Sequence, residues 1–233
     1  MASKKKLAQK QIQRRMQIHS RVRRVIAPFV FMILLVFILS QTSDSIVSTG
    51  HDRLSMAELL AIEMKGIMVD KRIPVDIRQK IFQILILNKN HEIDLRVQEE
   101  DGSNPESIFA AITFEEKPAI VAYGKILGRF RSEQSPDLFR TTVMCGIYHE
   151  FVHLDRWPES RRPTTEEQLI EEARAYAKTS IEILRPLHRA GFPVLKDFYK
   201  LDAVLQKCGD DVNCDLFKQA IGLYIHKGII LSR

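Results

Sequence analysis

The feature that most restricts how this chain can fold is a short run of residues, His149-Glu150-Phe151-Val152-His153. In an α-helix, residues four apart lie on one face, one turn from each other, so two imidazoles at this spacing can point to one spot. Such a pair can bind a zinc ion, and the glutamate between them can reach a water molecule on the metal. The pattern predicts a helix that carries a metal site. The alternative is a pair of buried histidines that are hydrogen-bonded within a core.

The residues before the motif also predict a helix. Ser135-Pro136-Asp137 combines a capping residue, a proline suited to the first turn and an acid near the positive end of the helix dipole. No further proline follows until Pro158. We therefore expect a long and mostly buried helix from Leu138 to Leu154.

Two histidines do not complete a catalytic zinc site, which usually has three protein ligands. One class of metallopeptidase takes its third ligand from a histidine six residues after the motif, with a glycine between. Arg156 and Glu159 occupy those two positions, so this class is excluded.

The next helical segment offers two acids, Glu171 and Glu172, after a capping box formed by Thr164 and Glu167. At about 100° per residue, Glu172 lies about 60° from the inward-facing Leu169, whereas Glu171 lies about 160° from it. A carboxylate beside the buried stripe is costly unless it is paired or bound to a metal. We predict Glu172 as the third ligand. The alternative is that both acids belong to a solvated helix face.

This arrangement resembles the gluzincins, zinc metallopeptidases with H-E-x-x-H on one helix and a glutamate on a following helix. The stretch Glu172-Ala173-Arg174-Ala175-Tyr176 is similar to the Glu-x-x-Ala-Tyr stretch of several such families. The resemblance covers about residues 106–190. It departs at Asp155, where these peptidases usually carry an apolar residue.

The resemblance implies a zinc site and a mechanism. Zn²⁺ would be held by His149, His153 and Glu172, and Glu150 would act as general base. The substrate would be a peptide or protein.

The resemblance also implies an additional donor that stabilises the oxyanion, for which Tyr176 and His188 are the candidates. In gluzincins a sheet edge aligns an extended peptide, and Ala119–Gly124 is the candidate strand here. An ordinary interior strand is the alternative.

The amino-terminal region predicts a membrane anchor. The first 24 residues contain nine Lys or Arg and no acid, and because the chain has 35 basic residues, 26 remain beyond the tail against 29 acids. No charge occurs between Arg24 and Asp44, a distance of 19 residues, or about 28 Å as a helix. This membrane-length segment argues against a nucleic-acid partner for the basic tail.

We therefore predict a basic cytoplasmic tail (1–24), a single transmembrane helix (25–43), a linker (44–54) and a metallopeptidase domain (55–233). The long basic region and the lack of an Ala-x-Ala site favour an uncleaved anchor over a signal peptide. Because basic flanks stay in the cytoplasm, the domain would lie outside it, in the periplasm of a bacterium.

Cysteine usage is compatible with export. Cys208 and Cys214 bracket a short polar segment between two helical stretches, Val194–Lys207 and Val212–His226. A disulfide there and two separate thiols are equally compatible with the sequence. Cys145, one turn before His149, is expected to be a structural thiol.

The predicted fold class is α+β, with a small antiparallel sheet beside the zinc-binding helices. Helices are expected at Ser55–Met68 and Pro74–Leu87, and strands around residues 93–97, at Ile108–Phe114 and at Ala119–Lys125.

Taken together, the sequence predicts a membrane-anchored zinc metallopeptidase. One alternative is a membrane-tethered, non-catalytic adaptor on the same fold. The presence of Glu150 argues against it, because this residue serves chemistry rather than metal binding. Another alternative is a different zinc hydrolase. Peptide deformylases use the same motif, but their ligand cysteine lies well upstream, and Cys145 is too near. No oligomeric state is predicted.

Overall fold

A computed structural model of the chain describes residues 55–98, 108–114, 117–154 and 165–226. The predicted tail, anchor and linker, and the cap residue Thr164, lie outside these residues. Among the described helices, none combines the length and the apolar composition that crossing a bilayer requires.

The described part of the chain begins with two helices close to the expected bounds. Helix α1 spans Met56–Val69 and helix α2 spans Val75–Lys89. The capping box at the start of α1 is present: the Ser55 N–H donates to Glu58 Oε2 at 2.8 Å, and the Glu58 N–H donates to Ser55 Oγ at 3.2 Å.

Three strands follow: β1 (Asp94–Gln98), β2 (Phe109–Phe114) and β3 (Lys117–Tyr123). Their order in the sheet is β1-β3-β2; β1 is parallel to β3 and β2 is antiparallel to it. The class α+β is confirmed, but the purely antiparallel sheet was wrong. Strands β1 and β2 are not neighbours, because β3 lies between them and runs in the same direction as β1. Alternation along a strand reports which face is buried and carries no information on direction.

The third predicted strand needs two corrections. It ends at Tyr123, because Gly124 and Lys125 already belong to helix α3 (Gly124–Glu133). It is also the central strand, with a partner on each side, so Ala119–Gly124 cannot pair with an added peptide. Strand β2 is an edge of the sheet as far as the described strands show, and it is the strand beside the motif helix.

The remaining chain is helical: α4 (Pro136–Leu154), α5 (Thr165–Thr179), a π-helical turn (Ser180–Leu184), α6 (Arg185–Arg189), α7 (Lys196–Lys207) and α8 (Asp215–His226). Ser135 caps α4 as expected, since its Oγ accepts from the Leu138 N–H at 3.3 Å. A disulfide joins Cys208, at the end of α7, to Cys214, just before α8.

Helix α4 runs through the core. From Thr141 to Glu150 every residue is buried. One side of the helix packs against β2 and β3, and another side packs against α5. This position explains why the motif lies inside the domain rather than on a surface helix.

A network of charges ties α1 to the first turns of α4. Arg140 donates from Nε to Glu63 at 2.6 Å and from Nη1 to Asp70 at 2.8 Å. The Arg72 guanidinium donates hydrogen bonds of 2.8 to 2.9 Å both to Asp70 and to Asp137, and so links these two carboxylates. Glu63 is buried, so its negative charge depends on Arg140.

We expect Arg140→Met to destabilise the domain, because it leaves the Glu63 carboxylate buried without its cation. Breaking a largely buried ion pair from one side costs about 3 kcal/mol. Urea denaturation of the fragment that begins at Ser55 measures the loss. The exposed Arg129, whose guanidinium has no partner among the described residues, provides the control: Arg129→Met should change the free energy of unfolding by less than about 0.5 kcal/mol. Equal stability of the two variants would contradict the expectation.

Candidate metal centre

The structure brings His149, His153 and Glu172 together at the contact between α4 and α5. The two Nε2 atoms lie 3.2 Å apart. Glu172 Oε2 lies 3.3 Å from His149 Nε2, and Oε1 lies 3.6 Å from His153 Nε2. Ligands about 2.1 Å from a tetrahedral zinc ion are about 3.4 Å from each other. The three side chains therefore have the spacing of metal ligands.

The cluster is buried on one side and accessible on the other. The His149 side chain is fully buried, whereas the His153 and Glu172 side chains are 17% and 18% exposed. A metal ion among them would be held from within the protein and reached from the side of His153 and Glu172.

The protonation states of His149 and Glu172 suit metal ligands, whereas His153 would have to lose a proton when a metal binds. Burial raises the pKa of Glu172, but hydrogen bonds from the two histidines outweigh burial and lower this pKa to about 2. Burial lowers the pKa of His149. Burial also lowers the pKa of His153, but the hydrogen bond and charge of Glu172 outweigh it and leave this pKa raised. The carboxylate is therefore ionised at neutral pH, as metal binding requires.

Glu171, the other candidate for the third ligand, lies outside the cluster. The Glu171 carboxylate is 3.8 Å from Nη1 of Arg174, one turn further along the same helix. This placement agrees with the wheel positions that separated Glu171 from Glu172.

Glu150 is buried between the cluster and the sheet. Its Oε2 accepts a hydrogen bond from the Ala111 N–H at 2.8 Å, while its Oε1 is buried with no hydrogen-bond partner in the described part of the chain. Burial raises the pKa of Glu150 to about 8, and the negative charge of Glu172 adds to this, against the opposing effects of His153 and Ala111. A carboxyl group with such a pKa can exchange a proton near neutrality.

A glycine sets the distance between α4 and β2. A Cβ atom on Gly146 would lie only 2.7 Å from Cε2 of Phe109 and would overlap its ring. Phe109 is fully buried, so its ring has no open space into which to turn. The close approach brings Glu150, one turn after Gly146, within reach of Ala111.

The two candidates for the oxyanion donor lie in different places. The Tyr176 ring is buried 4.5 Å from the His149 ring, in an edge-to-face arrangement. His188 is exposed and lies 5.8 Å from Tyr199, on the wall of a cavity of about 200 Å³ that none of the three clustered residues lines. The structure brings Tyr176 to the cluster and leaves His188 apart from it.

Cys145 does not join the cluster. It is fully buried, and burial raises the pKa of its thiol to about 12. Because a metal ligand must be a thiolate, this residue is unsuited to that role and has the structural role expected of it.

Several residues around the site gave no usable signal in the sequence. Ala111 contributes only its backbone, which every residue type except proline could supply. Tyr148 donates to Glu182 Oε2 at 2.6 Å, and Lys80 lies 3.3 Å from the same oxygen. Glu182 reaches this position from the π-helical turn.

Gly146 did carry a signal, because a glycine inside a predicted helix often marks close packing.

Comparisons of the chain with protein-family models, with curated proteins and with solved structures find no match. The functional conclusion therefore depends on the geometry of the site.

Proposed function

We propose that the chain is a membrane-anchored zinc metallopeptidase of the gluzincin type. The observation that carries this proposal is that the Nε2 atoms of His149 and His153 lie 3.2 Å apart and 3.3 and 3.6 Å from the two carboxylate oxygens of Glu172, close to the separation expected of zinc ligands. Two imidazoles and one carboxylate are the protein ligands of several catalytic zinc sites, which keep a fourth position for water or substrate. When bound there, zinc would supply Lewis acidity for the hydrolysis of a peptide bond.

Glu150 would handle the proton in this reaction. It would take a proton from the attacking water and pass it to the leaving amine. One observation supports this role: its Oε1 is buried and has no partner among the described residues, so it is available to a water molecule. Tyr176, whose ring packs against His149, is the proposed donor to the oxyanion.

Strand β2 is the proposed binding element for an extended peptide, in place of Ala119–Gly124. It is the sheet edge next to Glu150, as the bond from the Ala111 N–H shows. An extended peptide can add to such an edge by main-chain hydrogen bonds, which give affinity with little demand on side chains.

The adaptor alternative has less support. A buried carboxyl group that lacks a full set of partners costs free energy of folding. In a catalyst this cost has a function, because the group must act on water. In an adaptor Glu150 would have no comparable role.

We expect purified protein to contain about one zinc ion per chain, as elemental analysis would measure. Glu172→Ala should remove most of the zinc, because it deletes one of three ligands. Glu171→Ala is the matched control and should keep it, because Glu171 lies beside Arg174. Zinc that is retained in the first variant and lost in the second would show that the ligand is the other glutamate.

We expect Glu150→Gln to keep the zinc and the fold but to lose activity by about 10²- to 10⁴-fold. Glutamine has nearly the same shape, yet it cannot accept a proton. Hydrolysis of casein or of a broad peptide library provides the assay, with zinc content and circular dichroism as controls. A variant that cleaves at the wild-type rate would contradict the proposed role of Glu150.

We propose that residues 25–43 anchor the protein, with the amino end in the cytoplasm and the domain outside it. Topology reporters fused after Arg233 are therefore expected to be active only outside the cytoplasm. A cytoplasmic signal would refute this orientation. Amino-terminal sequencing is the companion measurement, because a mature chain that begins near residue 41 would indicate a cleaved signal peptide.

A further inference from the structure

We propose that the backbone N–H of Ala111 is a positioning group for Glu150: it holds one carboxylate oxygen so that the other is presented for proton transfer. This inference rests on the proposed function. It assigns a role to strand β2 beyond peptide binding, because the strand would also orient the general base.

The first observation is the direction of the Ala111 N–H. The Tyr123 N–H donates to the Ile108 carbonyl at 2.9 Å, and Ala111 is opposite Ile120 in the register. Hydrogen-bonded and non-hydrogen-bonded pairs alternate along an antiparallel ladder. Residues 108, 110 and 112 therefore bond to β3, while 109, 111 and 113 turn their N–H groups away from it. The N–H of Ala111 is not needed by the sheet, and Glu150 Oε2 accepts from it at 2.8 Å.

The second observation is the difference between the two oxygens of Glu150. Oε2 is fixed by Ala111, whereas Oε1 is buried and has no partner in the described residues. The last torsion of a glutamate side chain has a broad distribution, so a carboxylate without a fixed contact samples many orientations. A single bond to a rigid backbone donor removes most of that freedom. A pre-oriented base loses less entropy when the reaction begins.

The third observation is that the distance between donor and acceptor is built into the packing. Gly146 lets α4 approach β2 until the helix touches the Phe109 ring. Phe109 is two residues before Ala111 on the strand, and Gly146 is four residues before Glu150 on the helix. The Gly146–Phe109 contact therefore fixes the two elements at a separation that the Glu150 side chain can bridge.

Hydrogen exchange tests the bond without any need for activity. In the zinc-free protein we expect the Ala111 amide proton to exchange at least about 10-fold faster in Glu150→Ala than in the wild type. Glu150→Gln should keep the protection, because its amide oxygen can still accept. The Thr113 amide, which faces the same way and has no bond to Glu150, is the internal control and should not change. An Ala111 amide that exchanges equally in Glu150→Ala and in the wild type would overturn the inference.

Kinetics test the consequence of the bond. Ala111→Pro removes the N–H, and proline is tolerated on an edge strand where the N–H faces away from its neighbour. We expect kcat to fall by at least about 10-fold with zinc content and KM nearly unchanged, because orientation rather than binding is lost. Thr113→Pro deletes the next outward N–H, which can pair with a bound peptide but not with Glu150, so it should raise KM and leave kcat within about twofold of the wild type.

The outcomes separate this inference from the proposed function. A wild-type kcat in a folded Ala111→Pro variant, or an equal loss of kcat in Thr113→Pro, would overturn the positioning role, while inactivity of Glu150→Gln would still support the peptidase. If Ala111→Pro does not fold, the exchange measurement decides. Wild-type activity in both Glu150→Gln and Ala111→Pro would refute the proposed function itself.

Discussion

The contact between Gly146 and Phe109 is the constraint on which the site depends. It presses the motif helix against an edge strand with no room for one additional carbon atom. Because protein interiors are close-packed, such a contact fixes a distance rather than merely favouring it. Glu150 is thereby held beside the strand, and the histidines are held at a fixed depth in the core. Helix α5 then brings the Glu172 carboxylate to the Nε2 atoms of the two histidines.

The burial of the cluster also explains its protonation. His149 is deep enough that burial lowers its pKa, while Glu172 remains ionised because two imidazoles bond to it. Glu150 accepts no hydrogen bond from these imidazoles among the described residues, and burial keeps its pKa raised. Burial thus decides the direction of the pKa shift for His149 and Glu150, whereas hydrogen bonds from the two imidazoles decide it for Glu172.

Periodicity and spacing in the sequence were sufficient for much of this site. The i, i+4 spacing placed two histidines on one face, and the angle between Leu169 and Glu172 selected the glutamate that meets them. The direction of β1 relative to β3 could not be predicted, because alternating residues along β1 are equally compatible with a parallel and an antiparallel neighbour. The role of Ala111 was also inaccessible, because a backbone donor leaves no trace in residue identity. The bounds of β3 were misplaced because Gly124 resembled the end of a strand rather than the start of a helix.

The open side of β2 has a second consequence. An unpaired sheet edge can add a strand from any extended chain, including another copy of the same protein. Here the strand is only six residues long, and a carboxylate lies across the N–H at its centre. The proposed general base occupies the Ala111 donor, so a chain that adds to this edge, whether a substrate or a second copy, can pair only with the donors on either side of it. Replacing Glu150 with a small apolar side chain would free this donor, so the loss of the proposed base would be accompanied by a gain in the tendency to aggregate.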